Sequence, residues 1–255
     1  MTLRRERFWG VSLLIGLVGM WWGLTAGGIL PPFFFGEPLM VGRQLLDWLG
    51  CGVLFPHLGT TLLETLLALL GGSLAGAGMG LWLALAPLAA AVLDPYIKAA
   101  NAMPRVVLAP VFALWFGLGI GSKVALGFTL VFFVVFFNVL QGVREVPPAV
   151  LDNVRMLGAG RRQLLRHVYL PSAAGWLFSS MRNAVGMAFV GAVVGEYLGS
   201  ARGMGYLILQ AEGAFDINAV IAGVFVLTAC ALGLDAAVSL AERRLLAWRR
   251  GPGGG

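Results

Sequence analysis

The sequence predicts an all-α integral membrane protein with six spanning helices and both termini on the cytoplasmic side. Three observations carry this expectation. Of 255 residues, 59% are hydrophobic and 12% charged, against about 25% charged in soluble domains, and the mean hydropathy is +0.87. Apolar runs of about 20 residues recur, the length at which a helix crosses a bilayer. Lys and Arg collect in alternate inter-run segments, as they do on the cytoplasmic side of membrane proteins. Strand-like alternation is absent from the runs, which excludes an outer-membrane barrel.

Phe8 to Leu30 is an apolar run behind Arg4, Arg5 and Arg7. A cleaved signal peptide shares that charge order but has a shorter apolar core of about 7–15 residues. No small-x-small site precedes Pro31-Pro32, so residues 8–30 read as a retained first span with its N-terminus inside. Pro31 to Gly59 is punctuated by Pro31, Pro32, Pro38 and Pro56 and reads as an external loop with a short helix at Val41 to Leu49. The second span, 60–86, carries Gly71, Gly72, Gly76, Gly80, Ala75 and Ala84, a small-residue face suited to close helix approach in lipid. Glu64, near its outer end, reads as reaching the interface.

Residues 96–119 form the third predicted span, broken by Pro104 and Pro110. Interrupted helices persist in a bilayer only where protein or a water-filled cavity covers the freed backbone groups, which makes Pro104 and Pro110 candidates for a translocation path. The fourth span, 124–143, is rich in Phe and Val. The fifth, 173–195, contains Arg182 and Asn183 and ends at Glu196. Polar and ionisable groups in spans face the interior, so Asn183 and Glu196 join the path candidates. A Gly-rich external loop over 197–218 leads to the sixth span, 218–240, and a basic tail. One membrane domain therefore covers 1–255.

With the N-terminus inside, fourteen Lys and Arg fall in internal segments, against Arg43, Lys123 and Arg202 outside and Arg182 in a span. This bias puts residues 144–171 in the cytoplasm. It also accounts for the net charge of +6 without nucleic acid as a partner. Cys51 and Cys230 lie far apart, and His57 and His167 have no ligand-type neighbours in sequence, so no metal site is encoded. Gly117 to Lys123 resembles a phosphate loop only loosely, because Ser122 separates Gly121 from Lys123 and no strand precedes it. No clustered carboxylates, His or Cys on adjacent spans suggest catalysis. A self-contained carrier would show internal repeats and several buried ionisable groups, and neither is evident.

Arg144 to Pro171 is the one long polar, basic segment. Pro147 and Pro148 suit a helix start. Val150, Leu151, Val154 and Leu157 give an apolar face, and Gly158 ends that helix. A second short helix over Arg161 to Val168 is closed by Leu170-Pro171. In this segment the chain resembles the integral-membrane subunits of bacterial ABC importers, whose cytoplasmic loop reads E-A-A-x3-G-x9-I-x-L-P. Gly158, Val168, Leu170 and Pro171 fall on that spacing, while Asp152, Asn153 and Val154 replace the opening E-A-A. Asn101 to Gly117 and Glu196 to Ile208 look like the branch importing sulfonates, taurine, nitrate and related anions, which also includes permeases for thiamine-precursor pyrimidines.

The resemblance implies a type I ABC importer permease in the bacterial inner membrane. Two permease copies would work with a cytoplasmic ATPase dimer, which binds the ATP and Mg, and with a periplasmic or lipid-anchored binding protein. This chain itself would hold no cofactor and no catalytic residue. Asp152, Asn153, Gly158, Ala159, Arg161, Leu170 and Pro171 would form the coupling element. Arg161, Arg162 and Arg166 are explained equally by the charge bias or by contact with the ATPase.

Overall fold

Three long helices built around glycine form the centre of the molecule. The computed structural model describes residues 2–245. Residues 246–255, with Trp248, Arg249, Arg250 and the terminal Gly-Pro-Gly-Gly-Gly, lie outside it, as do the side chains of Arg4, Arg5, Arg7, Arg243 and Arg244. The described chain is helical, with no strand.

Helix α1 (Thr2–Ala26) leads through α2 (Pro32–Phe35) and α3 (Pro38–Gly50) into α4 (Leu54–Leu85). Helix α4 starts six residues before the expected span. Pro56 sits in its first turn, where the missing N–H leaves no broken bond. Helices α5 (Pro87–Ala102) and α6 (Ala109–Phe116) follow, joined by a 3-10 turn at Arg105–Leu108. Then come α7 (Ile120–Arg144), α8 (Pro148–Met156), α9 (Arg161–Leu164), α10 (Leu170–Leu198), α11 (Met204–Gly213) and α12 (Ile217–Leu245).

Four described helices are long and apolar enough to cross a membrane: Leu54–Leu85, Ile120–Arg144, Arg161–Leu198 and Ile217–Leu240. The apolar stretch Ser12–Ala26 of α1 is shorter. Residues 96–119 do not form the single span expected. Helices α5 and α6 meet at 83° and make a fifth crossing only when taken together. Pro104 is the cause, since a residue before proline is forced out of the helical region, and Met103 is extended at φ −68, ψ 132. Pro110 breaks nothing, because it occupies the first turn of α6.

The packing of α4, α7 and α10 follows from small residues four apart. Ala68, Gly72, Gly76 and Gly80 on α4 face Val131, Val135 and Val139 on α7. A Cβ added at Gly76 would lie 2.6 Å from the Phe132 carbonyl oxygen, and one at Gly80 would lie 2.8 Å from that of Phe136. On the other side of α7, a Cβ at Gly191 would meet the Gly127 Cα at 2.4 Å, and one at Gly142 would strike the Trp176 ring. In lipid no hydrophobic force drives helices together, so this close backbone approach and the dispersion contacts it permits hold the unit. The small-residue face expected on α4 is present; its partners on α7 and α10 were not singled out in the sequence.

The cytoplasmic-type loop also differs in one respect. Helix α8 and Gly158 lie where expected, but no separate second helix closes at Pro171. A π-turn at Leu165–Tyr169 joins α9 to α10, giving one helix of 38 residues from Arg161 to Leu198. The rearranged ladder of the π-turn precedes Pro171, which supplies no N–H to a regular one.

Candidate translocation cavity and coupling loop

A cavity of about 600 Å³ opens between the α5–α6 break, α7 and α10. Its polar lining is Asn101, Arg105, Asn138, Arg182 and Asn183, and Phe133 and Phe137 supply aromatic walls. Arg105 is aimed by its surroundings. Its Nη2 donates to the Asn101 carbonyl oxygen at 3.1 Å and to the Asn101 side chain, and its guanidinium lies 4.4 Å above the Phe133 ring, a cation–π arrangement. Its Nε is buried without a hydrogen-bond partner among the described residues. Arg182 is tied instead to α12, at 3.5 Å from Asp235 and 3.1 Å from Ser239 Oγ. Among the described residues no carboxylate lines the cavity, so Arg105 leaves it with an excess of positive charge.

Of the four path candidates, Asn183 lines this cavity. Pro104 is exposed at the break and places Arg105 immediately after it, while Pro110 is exposed on α6. Glu196 lies elsewhere, fully buried at the opposite end of α10. Arg105 and Asn138 were not among the site residues expected from sequence. Their signal was position: a cation beside a proline break, and an amide within an otherwise apolar span.

In the loop, Gly158 has φ +82 with open space around it. Its glycine is required by backbone conformation, in keeping with its expected place at the helix end, and no neighbour approaches it closely. Asp152 pairs with Arg155 at 3.3 Å on the exposed side of α8. Asn153 is exposed and its carbonyl accepts from Leu157 N at 3.1 Å. Ala159 N closes the turn on Val154 O at 3.2 Å, and Gln163 Oε1 accepts from Gly160 N at 2.8 Å. Met156 and Leu157, at the tip, are 79% and 87% exposed. Arg161 and Leu170 are exposed and Pro171 is half-buried on the continuous helix that follows. The loop is thus a short rigid helix with a bare apolar tip, fastened directly to a span.

A buried polar cluster occupies the other end of the three-helix unit. Glu196 Oε1 accepts from Thr61 Oγ1 at 2.7 Å, and its Oε2 accepts from Gly205 N at 2.8 Å. Thr61 Oγ1 in turn accepts from Met204 N at 2.9 Å. Lys123, 1% exposed, donates to the carbonyls of Leu118 and Gly199 at 2.5 Å each and interacts electrostatically with Glu64 and Glu196. Two sequence expectations are corrected here. Glu64 does not reach the interface but is 1% exposed, and Lys123 is not a solvated external charge. His57 Nδ1 lies 3.1 Å from the backbone of Gly203, and its ring stacks on Tyr206.

Residues 72–247 match the family described as the binding-protein-dependent transport system inner membrane component. The chain is 29% identical over 251 residues to the taurine transport system permease protein of Escherichia coli, covering 96% of this chain and 91% of that one. It is 34% identical to the riboflavin transport system permease protein of Chloroflexus aurantiacus, with 93% and 88% covered. To the formylaminopyrimidine transport permease protein of Halalkalibacterium halodurans it is 31% identical, with 90% and 91% covered.

Proposed function

We propose a function from this premise: the chain belongs to the family of inner-membrane components of binding-protein-dependent transport systems, the permease subunits of ABC importers. Members of that family are permeases rather than enzymes. In our reading two copies of this chain, each with six spans and cytoplasmic termini, form the path, and a binding protein delivers solute from outside. A separate ATPase dimer binds ATP and Mg. The loop over residues 144–171 enters a groove of that ATPase through its apolar tip, Met156 and Leu157. Because α9 runs unbroken into α10, movement of the groove is passed to the spans as rigid-body rocking.

The cavity at Arg105 is this chain's share of the path, and its solute is a small anion such as a sulfonate, taurine or nitrate. The observation that carries this reading is a guanidinium fixed by Asn101 and Phe133 in a cavity without a carboxylate. A second reading rests on the two phenylalanines and three amides of the same lining, which suit a flat heterocycle such as a thiamine-precursor pyrimidine. Two of the three relatives described above are named for heterocycles, riboflavin and formylaminopyrimidine. The importer reconstituted with its ATPase and binding protein separates them. A hydrogen bond to a charged group contributes about 1.5–3 kcal/mol, so Arg105→Gln is expected to lower taurine uptake at least about tenfold. Unchanged taurine uptake, or pyrimidine as the solute taken up, would sink the anion reading.

A further inference from the structure

A second basic cavity, of about 520 Å³, lies between the inner end of α4 and the start of the Arg161–Leu198 helix. Arg155, Arg161, Arg162 and Tyr169 line it, over a floor that includes Leu85 and Leu164. Arg155 has Asp152 as its ion-pair partner. Arg161 and Arg162 have none among the described residues, and no carboxylate faces the cavity. Leu85 is the last residue of one spanning helix, and Arg161 is the first of another. The guanidinium groups therefore stand beside the ends of two long apolar helices, with leucine beneath them.

We propose that this cavity is a binding site for the phosphate headgroup of an anionic phospholipid of the cytoplasmic leaflet. Planar guanidinium groups match phosphate oxygens in paired hydrogen bonds. Basic pockets between helices on the cytoplasmic side bind acidic headgroups. The place of the cavity beside the ends of two long apolar helices and its half-apolar lining favour lipid over an acidic patch of the ATPase, for which the exposed Met156–Leu157 tip is the separate apolar contact. The site joins α4 to the base of the coupling loop, so a bound lipid steadies the joint through which movement of the loop reaches the spans.

The test is native mass spectrometry of the full chain titrated with dioleoyl-phosphatidylglycerol or dioleoyl-phosphatidylcholine. The unaltered protein is expected to retain phosphatidylglycerol preferentially. The double variant Arg161→Gln/Arg162→Gln is expected to lose that preference on the order of tenfold. The double variant Arg161→Lys/Arg162→Lys should keep most of it, and Arg166→Gln, outside the lining, should keep all of it. All three side chains are exposed, and an unchanged thermal midpoint confirms that each variant folds. Three outcomes overturn the proposal: equal retention of the two lipids, displacement of phosphatidylglycerol by millimolar inorganic phosphate, or a glutamine variant that loses its ATPase while keeping phosphatidylglycerol. The last would assign both arginines to the ATPase contact.

Discussion

Glu196 shows how one side chain can organise a turn that has no regular structure of its own. Its two oxygens accept from Thr61 and Gly205. The chain can pass this close because a Cβ at Gly203 would lie 2.1 Å from the Glu196 carboxyl. Glu196→Gln keeps the shape but turns an NH2 group toward one of two donors. An unsatisfied buried donor costs about 1–3 kcal/mol, so amide hydrogen exchange at Met204 and Gly205 should accelerate on the order of tenfold, and exchange at the native rate would refute this role. At Gly158 the argument runs on backbone alone. An alanine there meets no neighbour but must adopt φ near +82, which costs an L-residue about 1–2 kcal/mol. Asparagine tolerates that region better. If the loop transmits ATP-driven motion, Gly158→Ala should reduce substrate-stimulated ATP hydrolysis and Gly158→Asn should restore much of it; equal behaviour of the two variants would argue against a conformational role.

At the scale of elements, the glycine ridge on α4 makes a sharper prediction than any single polar contact. Overpacking a tight interface costs about 1–3 kcal/mol, and at Gly76 the obstacle is the backbone of α7, which cannot rotate away. Gly76→Val should lower the thermal midpoint of the purified protein by several degrees, whereas Gly78→Val, with nothing nearby, should not. The ridge was legible because glycine and alanine recur four apart in an apolar run. Its counterparts Gly127, Gly142 and Gly191 were not, since only the three-dimensional neighbour gives each of them its meaning. The same limit explains Pro104 and Pro110. Both read as breaks, but a proline breaks a helix only away from its first turn, and where α6 begins depends on tertiary packing. The π-turn before Pro171 had no sequence signal apart from the proline itself.

For the whole molecule, the proposed arrangement across the membrane rests on a charge bias whose count the fold refines. Lys123 is buried on backbone carbonyls, so it drops out of the external count, leaving Arg43 and Arg202 there against fourteen basic residues on the other side. Buried Glu64, Lys123 and Glu196 also explain why a reading by hydropathy placed the helices but missed the cluster. Periodicity reports which face is apolar, whereas three ionisable residues some 60–70 positions apart give no sign that they meet. The bias predicts that residues 199–203 face outward and that α8 faces the cytoplasm. In a Cys51→Ser/Cys230→Ser background, Ala201→Cys should react with a membrane-impermeant maleimide in intact cells. Met156→Cys, 79% exposed at the loop tip in the native residue, should react only after the membrane is permeabilised. The opposite pattern would invert the protein and put the coupling loop outside, where no ATPase could reach it. Equal labelling of both positions in intact cells would show that the spans between them do not seal, and the single continuous helix from Arg161 to Leu198 could then not be the element that carries motion across the bilayer.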